Sequence, residues 1–172
     1  MSNDFTIRAA TPDDAPQLHR LICELARYEK VDPATTVKST PESLAQQMRS
    51  DFPPFSALVA QVGDELVGLA LYFYNYSTWT GKRGVYLEDL FVEEKVRKFG
   101  IGKALLLQVA HVARSQGAAR MDWAVLDWNQ PARAFYESLG ARCLEEWRIY
   151  RFDATALDGL EKRASHGVFE NS

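Results

Sequence analysis

Residues 85–117 read VYLEDLFVEEKVRKFGIGKALLLQVAHVARSQG, and this stretch decides the fold. Val85 to Val92 is an apolar strand interrupted by two adjacent acids, Glu88 and Asp89. A charged segment follows and ends in Arg97-Lys98-Phe99-Gly100-Ile101-Gly102. Leu105, Leu106, Val109, Val112 and Ala113 then recur at helical spacing, so a long helix is predicted to about Gln116, closed by Gly117. Strand, glycine-bearing turn and amphipathic helix in succession belong to an α/β architecture.

The turn has a chemical reading. Glycine lets the backbone bend sharply and approach a ligand closely. A helix start presents free N–H groups and the positive end of the helix dipole. Together they form an anion cradle suited to a pyrophosphate, with Arg97, Lys95, Lys98 and Lys103 adding positive charge. A P-loop would need glycine where Arg97 stands and Ser or Thr where Ala104 stands. A dinucleotide-binding fingerprint would need glycine where Leu105 stands. What remains, R-x-x-G-x-G, fits an anion site and fits equally a tight strand-to-helix turn that needs small residues. The acids also have two readings. Neighbouring strand residues point to opposite faces, so in a sheet covered on both sides at least one carboxylate is partly buried and needs a partner or a function. An edge strand, or neutralisation by an arginine, accounts for the pair as well.

Working towards the N-terminus, Leu66–Tyr76 and Phe55–Val62 form a hairpin around Gly63-Asp64-Glu65, and a loop holding Trp79 and Gly81 to Gly84 leads on to the acidic strand. Thr40-Pro41-Glu42 and Thr11-Pro12-Asp13-Asp14 are helix starts; the latter opens a helix with the stripe Leu18, Leu21, Ile22 and Leu25. Residues 5–9 are a first strand. Towards the C-terminus, Arg120–Leu126 reads as a strand. Asn129 caps a short helix with the core stripe Ala132, Phe135 and Leu139, stopped by Gly140. Tyr136 lies off that stripe, on the side of Asn129 and Arg133; its hydroxyl either serves a ligand or marks the rim of the core. Arg142 to Phe152 reads as two closing strands, and residues 154–165 as a terminal helix. The whole is one domain over 1–172, with an ordered core about 5–155 and a mixed α/β sheet.

Composition bounds the function. A chain of 172 residues, 47% hydrophobic, buries roughly 70% of its unfolded surface in one core. A net charge of -3 argues against a nucleic-acid partner and suits a site that receives cations. Cys23 and Cys143 lie far apart without CxxC spacing, which reads as reduced thiols in the cytoplasm. The first residues lack the apolar stretch of a signal peptide, and the longest apolar run, Leu66 to Tyr74, is too short to cross a bilayer, so no membrane partner is expected. His19, His111 and His166 show no metal-ligand spacing, and no metal is expected.

Six runs in order resemble the GNAT N-acetyltransferases, within them the diamine (spermidine/spermine) and thialysine Nε-acetyltransferase branch. They are Leu25-Ala26-Arg27-Tyr28-Glu29, Tyr76-Ser77-Thr78-Trp79, Tyr86-Leu87-Glu88-Asp89, Arg97 to Gly102, Ala124 to Pro131, and Phe135-Tyr136 to Gly140-Ala141. The resemblance implies a largely antiparallel sheet, splayed where acetyl-CoA enters and flanked by helices. It implies that backbone groups of Leu90 and Val92, with Phe91 between them, hold the pantetheine arm. Arg97, Lys98, Phe99, Gly100, Ile101 and Gly102, with Lys103 beside them, would hold the pyrophosphate, and Asn129 would align the cofactor. Tyr136 would be the general acid for the departing thiolate and Glu88 the acceptor of the amine proton. Tyr28, Glu29, Trp79, Asp89 and Trp147 would shape the pocket of a small basic amine. The polyamine branch carries an acid near Ser77, so the loss of that charge here favours short substrates, and one extra residue near Arg83-Gly84 alters the loop. A homodimer is implied too. Other readings are acetylation of a protein lysine or N-terminus, told apart by an open groove, and a non-catalytic acetyl-CoA-binding module, told apart by loss of Glu88 or Tyr136.

Overall fold

The computed structural model describes residues 4–167. Five strands form one mixed sheet in the order β1 (Thr6–Ala9), β2 (Ser56–Val62), β3 (Glu65–Ser77), β4 (Lys82–Val92), β5 (Met121–Asp122). The first three pairings are antiparallel and β4 with β5 is parallel. The helices are α1 (Ala15–Tyr28), α2 (Pro33–Thr36), α3 (Pro41–Met48), α4 (Ile101–Ser115), α5 (Gln130–Ser138) and α6 (Ala154–Gly167). This is the mixed α/β architecture expected from the sequence.

Local chemistry explains where the elements begin. Thr11 precedes a 3-10 turn at Pro12–Asp14 that runs into α1. The Asp14 carboxylate accepts the Thr11 N–H at 2.7 Å and both Arg8 guanidinium nitrogens at 2.7 and 2.8 Å. The Arg8 hydrogen bonds hold its carboxyl down at about 2, tying β1 to the start of α1. Thr40 caps α3 by accepting the Ser43 N–H at 3.1 Å.

The two faces of the sheet are covered by different helices. Leu18, Leu21 and Ala15 of α1 and Leu44 of α3 share a buried cluster with Val59, Leu66, Leu69 and Phe91. A Cβ on Gly68 would instead meet Leu105 of α4 at 3.2 Å. Neighbouring strand residues face opposite ways, so α1 and α4 lie on opposite sides of β3.

β4 is irregular where it matters. Leu71 pairs with Asp89 and Tyr72 with Leu87, leaving Glu88 without a residue opposite it. Such a bulge bends a strand and tightens its twist. On the other edge, β4 pairs with β5 only at Val85 with Met121 and Tyr86 with Asp122. Among the described residues the edge beyond Tyr86 has no strand partner, so the sheet opens there.

Three sequence expectations are corrected. β4 begins at Lys82, not Val85, because Lys82 and Arg83 pair with Ser77 and Tyr76; the expected glycine loop is a short turn followed by strand. The strand expected over Arg120–Leu126 is only Met121–Asp122, since the bend in β4 removes its neighbour. Residues 142–152 form no strand; Leu144, Trp147, Ile149, Tyr150 and Phe152 are exposed and unpaired by any ladder. The four-residue α2, capped by Asp32, was not foreseen.

The chain divides into two compact units after Ala124. The second carries α5 and α6. Among its described side chains Asn129 alone is buried, at 8% exposure, and the expected core stripe Ala132, Phe135 and Leu139 is half-buried.

Candidate functional site

Three acids of the first unit come together. Glu29 ends α1 in a tight cap: Lys30 takes φ 64, its N–H donates to Arg27 O, and the Val31 N–H donates to Ala26 O, both at 3.0 Å. A lysine in this left-handed position is strained by roughly 1 kcal/mol relative to glycine. Burial raises the Glu29 carboxyl. Asp89 is half-buried, and burial, then Glu88, then Glu29, push its carboxyl up to about 6. Glu88, on the bulge, is exposed. Strict alternation would set Glu88 and Asp89 on opposite faces; the unpaired residue breaks that alternation and leaves them acting on one another. Asp89 is two residues from Phe91 of the α1-side cluster, which is why Glu29, not α4, is its neighbour.

The open edge of β4 begins beside these acids. The Glu93 N–H donates to Val67 O at 2.9 Å, so Glu93 faces β3 and, by strand alternation, the backbone groups of Val92 and Leu90 face away from it. The turn into α4 then takes two left-handed residues, Lys98 at φ 76 and Gly100 at φ 83. The helical ladder starts with the Ala104 N–H donating to Gly100 O, so the amides of Ile101, Gly102 and Lys103 have no intrahelical acceptor. A Cβ at Gly100 would meet nothing within 4 Å, and one at Gly102 only Val92 Cγ2 at 3.7 Å. The protein itself therefore does not fill the space over this turn. A donor array with room beside Gly100 and Gly102, next to an unpaired strand edge, fits a pyrophosphate followed by an amide-bearing arm.

The cations of this segment are not equivalent. Lys95 is paired with Glu93 at 2.9 Å and Glu65 at 3.4 Å. Lys98 and Lys103 are exposed. Arg97 turns inward; its Nε donates to Val92 O at 3.0 Å and its guanidinium lies over Tyr28. Sequence reading gave no sign of this, nor of the link from Arg20 to the buried Glu93 and to Leu66 O at 2.6 Å.

Trp79 is 89% exposed at the tip of the β3–β4 hairpin. Lys82 to Asp89 spans roughly 23 Å of strand, so one chain does not bring Trp79 to the acids. Ser77, at the same tip, is buried; its Oγ accepts the Thr80 N–H at 3.3 Å, shaping the turn. Within one chain it does not face the acids either.

In the second unit Asn129 caps α5, its side chain accepting the Ala132 N–H at 3.3 Å. Tyr136 is half-buried, its ring 5.3 Å from that of Phe135. Trp147 is 63% exposed. Among the described residues no helix is long and apolar enough to cross a membrane, and no cluster of three potential metal ligands is present.

Residues 20–141 match the Acetyltransferase (GNAT) family. The chain is 40% identical over 165 residues to a thialysine N-epsilon-acetyltransferase of Sus scrofa, covering 90% of this chain and 95% of the relative. It is 32% identical over 199 residues to an L-ornithine N5-acetyltransferase of Arabidopsis thaliana, covering 91% and 87%. Among solved structures, an integron cassette protein from the mobile metagenome of V. cholerae superposes with a TM-score of 0.76 at 26% identity, covering 92% of this chain and 98% of that one.

Proposed function

The chain belongs to the GNAT acetyltransferase family, and from that premise we propose that it transfers the acetyl group of acetyl-CoA to the terminal amine of a short basic molecule, a lysine-like amino acid or a diamine. The observation that carries this reading is the juxtaposition of Glu29, Glu88 and Asp89 with the open edge of β4. The relatives point the same way, since those named above act on thialysine and on ornithine, two amino acids with an amine at the end of a flexible arm.

The acids answer a definite chemical need. An alkyl amine has a pKa near 10.4, so only roughly one molecule in a thousand is neutral at pH 7.4, a deficit of about 4 kcal/mol. Asp89 and Glu29 attract the ammonium; Glu88, the exposed acid beside them, accepts its proton directly or through water. Leu90 and the Val92 N–H hold the pantetheine arm, and the amides from Lys98 to Lys103 hold the pyrophosphate. Acetyl-CoA supplies the activated thioester when bound. Asn129 aligns it and Tyr136 gives a proton to the departing sulfur. Cys23 and Cys143 are free thiols and need no part in the transfer; they support a reducing, cytoplasmic setting. We further propose a homodimer, supported by the exposed aromatics Tyr76 and Trp79.

The test is an acetylation screen over thialysine, lysine, ornithine, putrescine, spermidine, spermine and a lysine-containing peptide in one buffer. The short molecules should give the highest kcat/KM. Activity confined to the peptide would overturn the small-molecule reading.

A further inference from the structure

Arg97 opens the glycine turn, yet its side chain leaves the turn behind. Nε donates to Val92 O at 3.0 Å. The guanidinium carbon lies 4.5 Å from the centroid of the Tyr28 ring and 5.7 Å from that of Phe91, and the two rings are 6.5 Å apart at 55°. Three elements thus meet on one half-buried cation: the last residue of α1, the end of β4 and the segment entering α4. Tyr28 immediately precedes Glu29, and Phe91 stands two residues from Asp89. The guanidinium is therefore fastened to the neighbours of both acids, and to the strand edge assigned to the pantetheine arm.

The chemistry of this contact is specific to arginine. A planar guanidinium stacks on an aromatic face while an N–H in its plane bonds a carbonyl; an ammonium cannot do both with one geometry. The Val92 carbonyl lies on the open edge and has no strand N–H to accept there, so Arg97 also satisfies a main-chain group that the bend in β4 exposes.

We infer that Arg97 is a positioning residue for the amine pocket and not a ligand of the pyrophosphate. It fixes Tyr28, and through it Glu29, against Phe91 and Asp89, and it holds the glycine turn at a set distance from them. The inference rests on the acetyltransferase reading above, but departs from the expectation that this charge serves phosphate. Phosphate binding then falls to the turn amides, with Lys98 and Lys103 as the exposed charges.

The experiment compares wild type, Arg97→Gln, Arg97→Lys, Tyr28→Leu and the double variant Arg97→Gln/Tyr28→Leu. Calorimetry without amine gives the Kd of coenzyme A and its salt dependence. Steady-state assays at saturating acetyl-CoA give the amine KM. A stacking contact of this kind is worth enough to raise the amine KM about fivefold or more in Arg97→Gln. The Kd of coenzyme A should change less than about threefold, and Arg97→Lys should not restore the KM. In the Tyr28→Leu background the Arg97 substitution should add little, because its partner is gone. A tenfold or larger loss of coenzyme A affinity, shrinking at high salt, with the amine KM unchanged, would overturn the inference and return Arg97 to the phosphate. Additive effects in the double variant would also overturn it. Should Arg97→Gln not fold, Tyr28→Leu alone must raise the amine KM, and an unchanged KM there sinks the proposal. If wild type acetylates no small amine, the proposed function fails by itself, while the calorimetry still reports whether Arg97 binds phosphate.

Discussion

Asp89 illustrates how much one residue carries at this site. The sequence marks it only as one of two acids in an apolar strand; its raised carboxyl follows first from burial, then from the adjacent Glu88, and then from Glu29, sixty residues away in sequence. No periodicity argument reaches that far. Its carboxyl titrates near 6, above the ordinary value of 3.8. The folded protein therefore binds more protons than the unfolded chain between those values, and stability present below about pH 4 is lost as pH rises through 6. Asp89→Asn should accordingly raise stability at pH 7.5, by about 2 kcal/mol after allowing for water at a half-buried group, and the two proteins should converge below about pH 4 in denaturant melts. In the same variant kcat/KM should fall, and the acid limb expected of the wild type near pH 6 should vanish, because an ionised Asp89 no longer forms. A wild-type acid limb that survives in Asp89→Asn would assign it to another group.

At the scale of elements, glycines that look alike in sequence do different work. Gly68 lies in β3, where a Cβ would stand 3.0 Å from Phe91 O and 3.2 Å from Leu105 Cδ1. Backbone cannot step aside cheaply, so Gly68→Ala should cost about 1–3 kcal/mol of stability. Gly102 lies in the first turn of α4 with protein space to spare. Gly102→Ala should fold as well as wild type, or better by up to about 1 kcal/mol from helix propensity. Its acetyl-CoA affinity should nevertheless fall by tenfold or more, measured by calorimetry, because the ligand needs the space that the protein leaves. An unchanged affinity would remove this turn from the cofactor site. Elements that announce themselves through local chemistry were legible: the capped starts at Thr11, Thr40 and Asn129, the stripe of α4, the hairpin of β2 and β3. The strands over 120–126 and 142–152 were not, because extended propensity states what a segment prefers, while a strand also needs a neighbour at hydrogen-bonding distance.

At the scale of the whole molecule, the core of the first unit is built around β3, with α1 and α3 on one face and α4 on the other. The exposed aromatics do not follow from it. Tyr76, Trp79, Trp147, Ile149, Tyr150 and Phe152 leave much apolar area in contact with water for a chain with a net charge of only -3. Apolar area exposed in each unit supports the homodimer proposed above. Light scattering at micromolar concentration should give twice the mass of one chain, and dilution to the monomer should shift tryptophan emission to the red as Trp79 and Trp147 meet water. A monomer at every concentration would refute the dimer.

The bulge in β4 has one more consequence, and it concerns chain length instead of side chains. Glu88 is a surplus in the count: Leu71 opposite Asp89 and Tyr72 opposite Leu87 would be successive rungs of an unbroken ladder if it were absent. Every residue from Asp89 onward would keep its partner, and only the bend would go. The curvature that opens the sheet is thus encoded by how many residues β4 contains, not by which ones. A survey that exchanges each residue for alanine would test the carboxylate at 88 and leave the bend untouched. Deletion of Glu88 would remove the carboxylate and the bend together, so what it loses beyond Glu88→Ala would measure the bend.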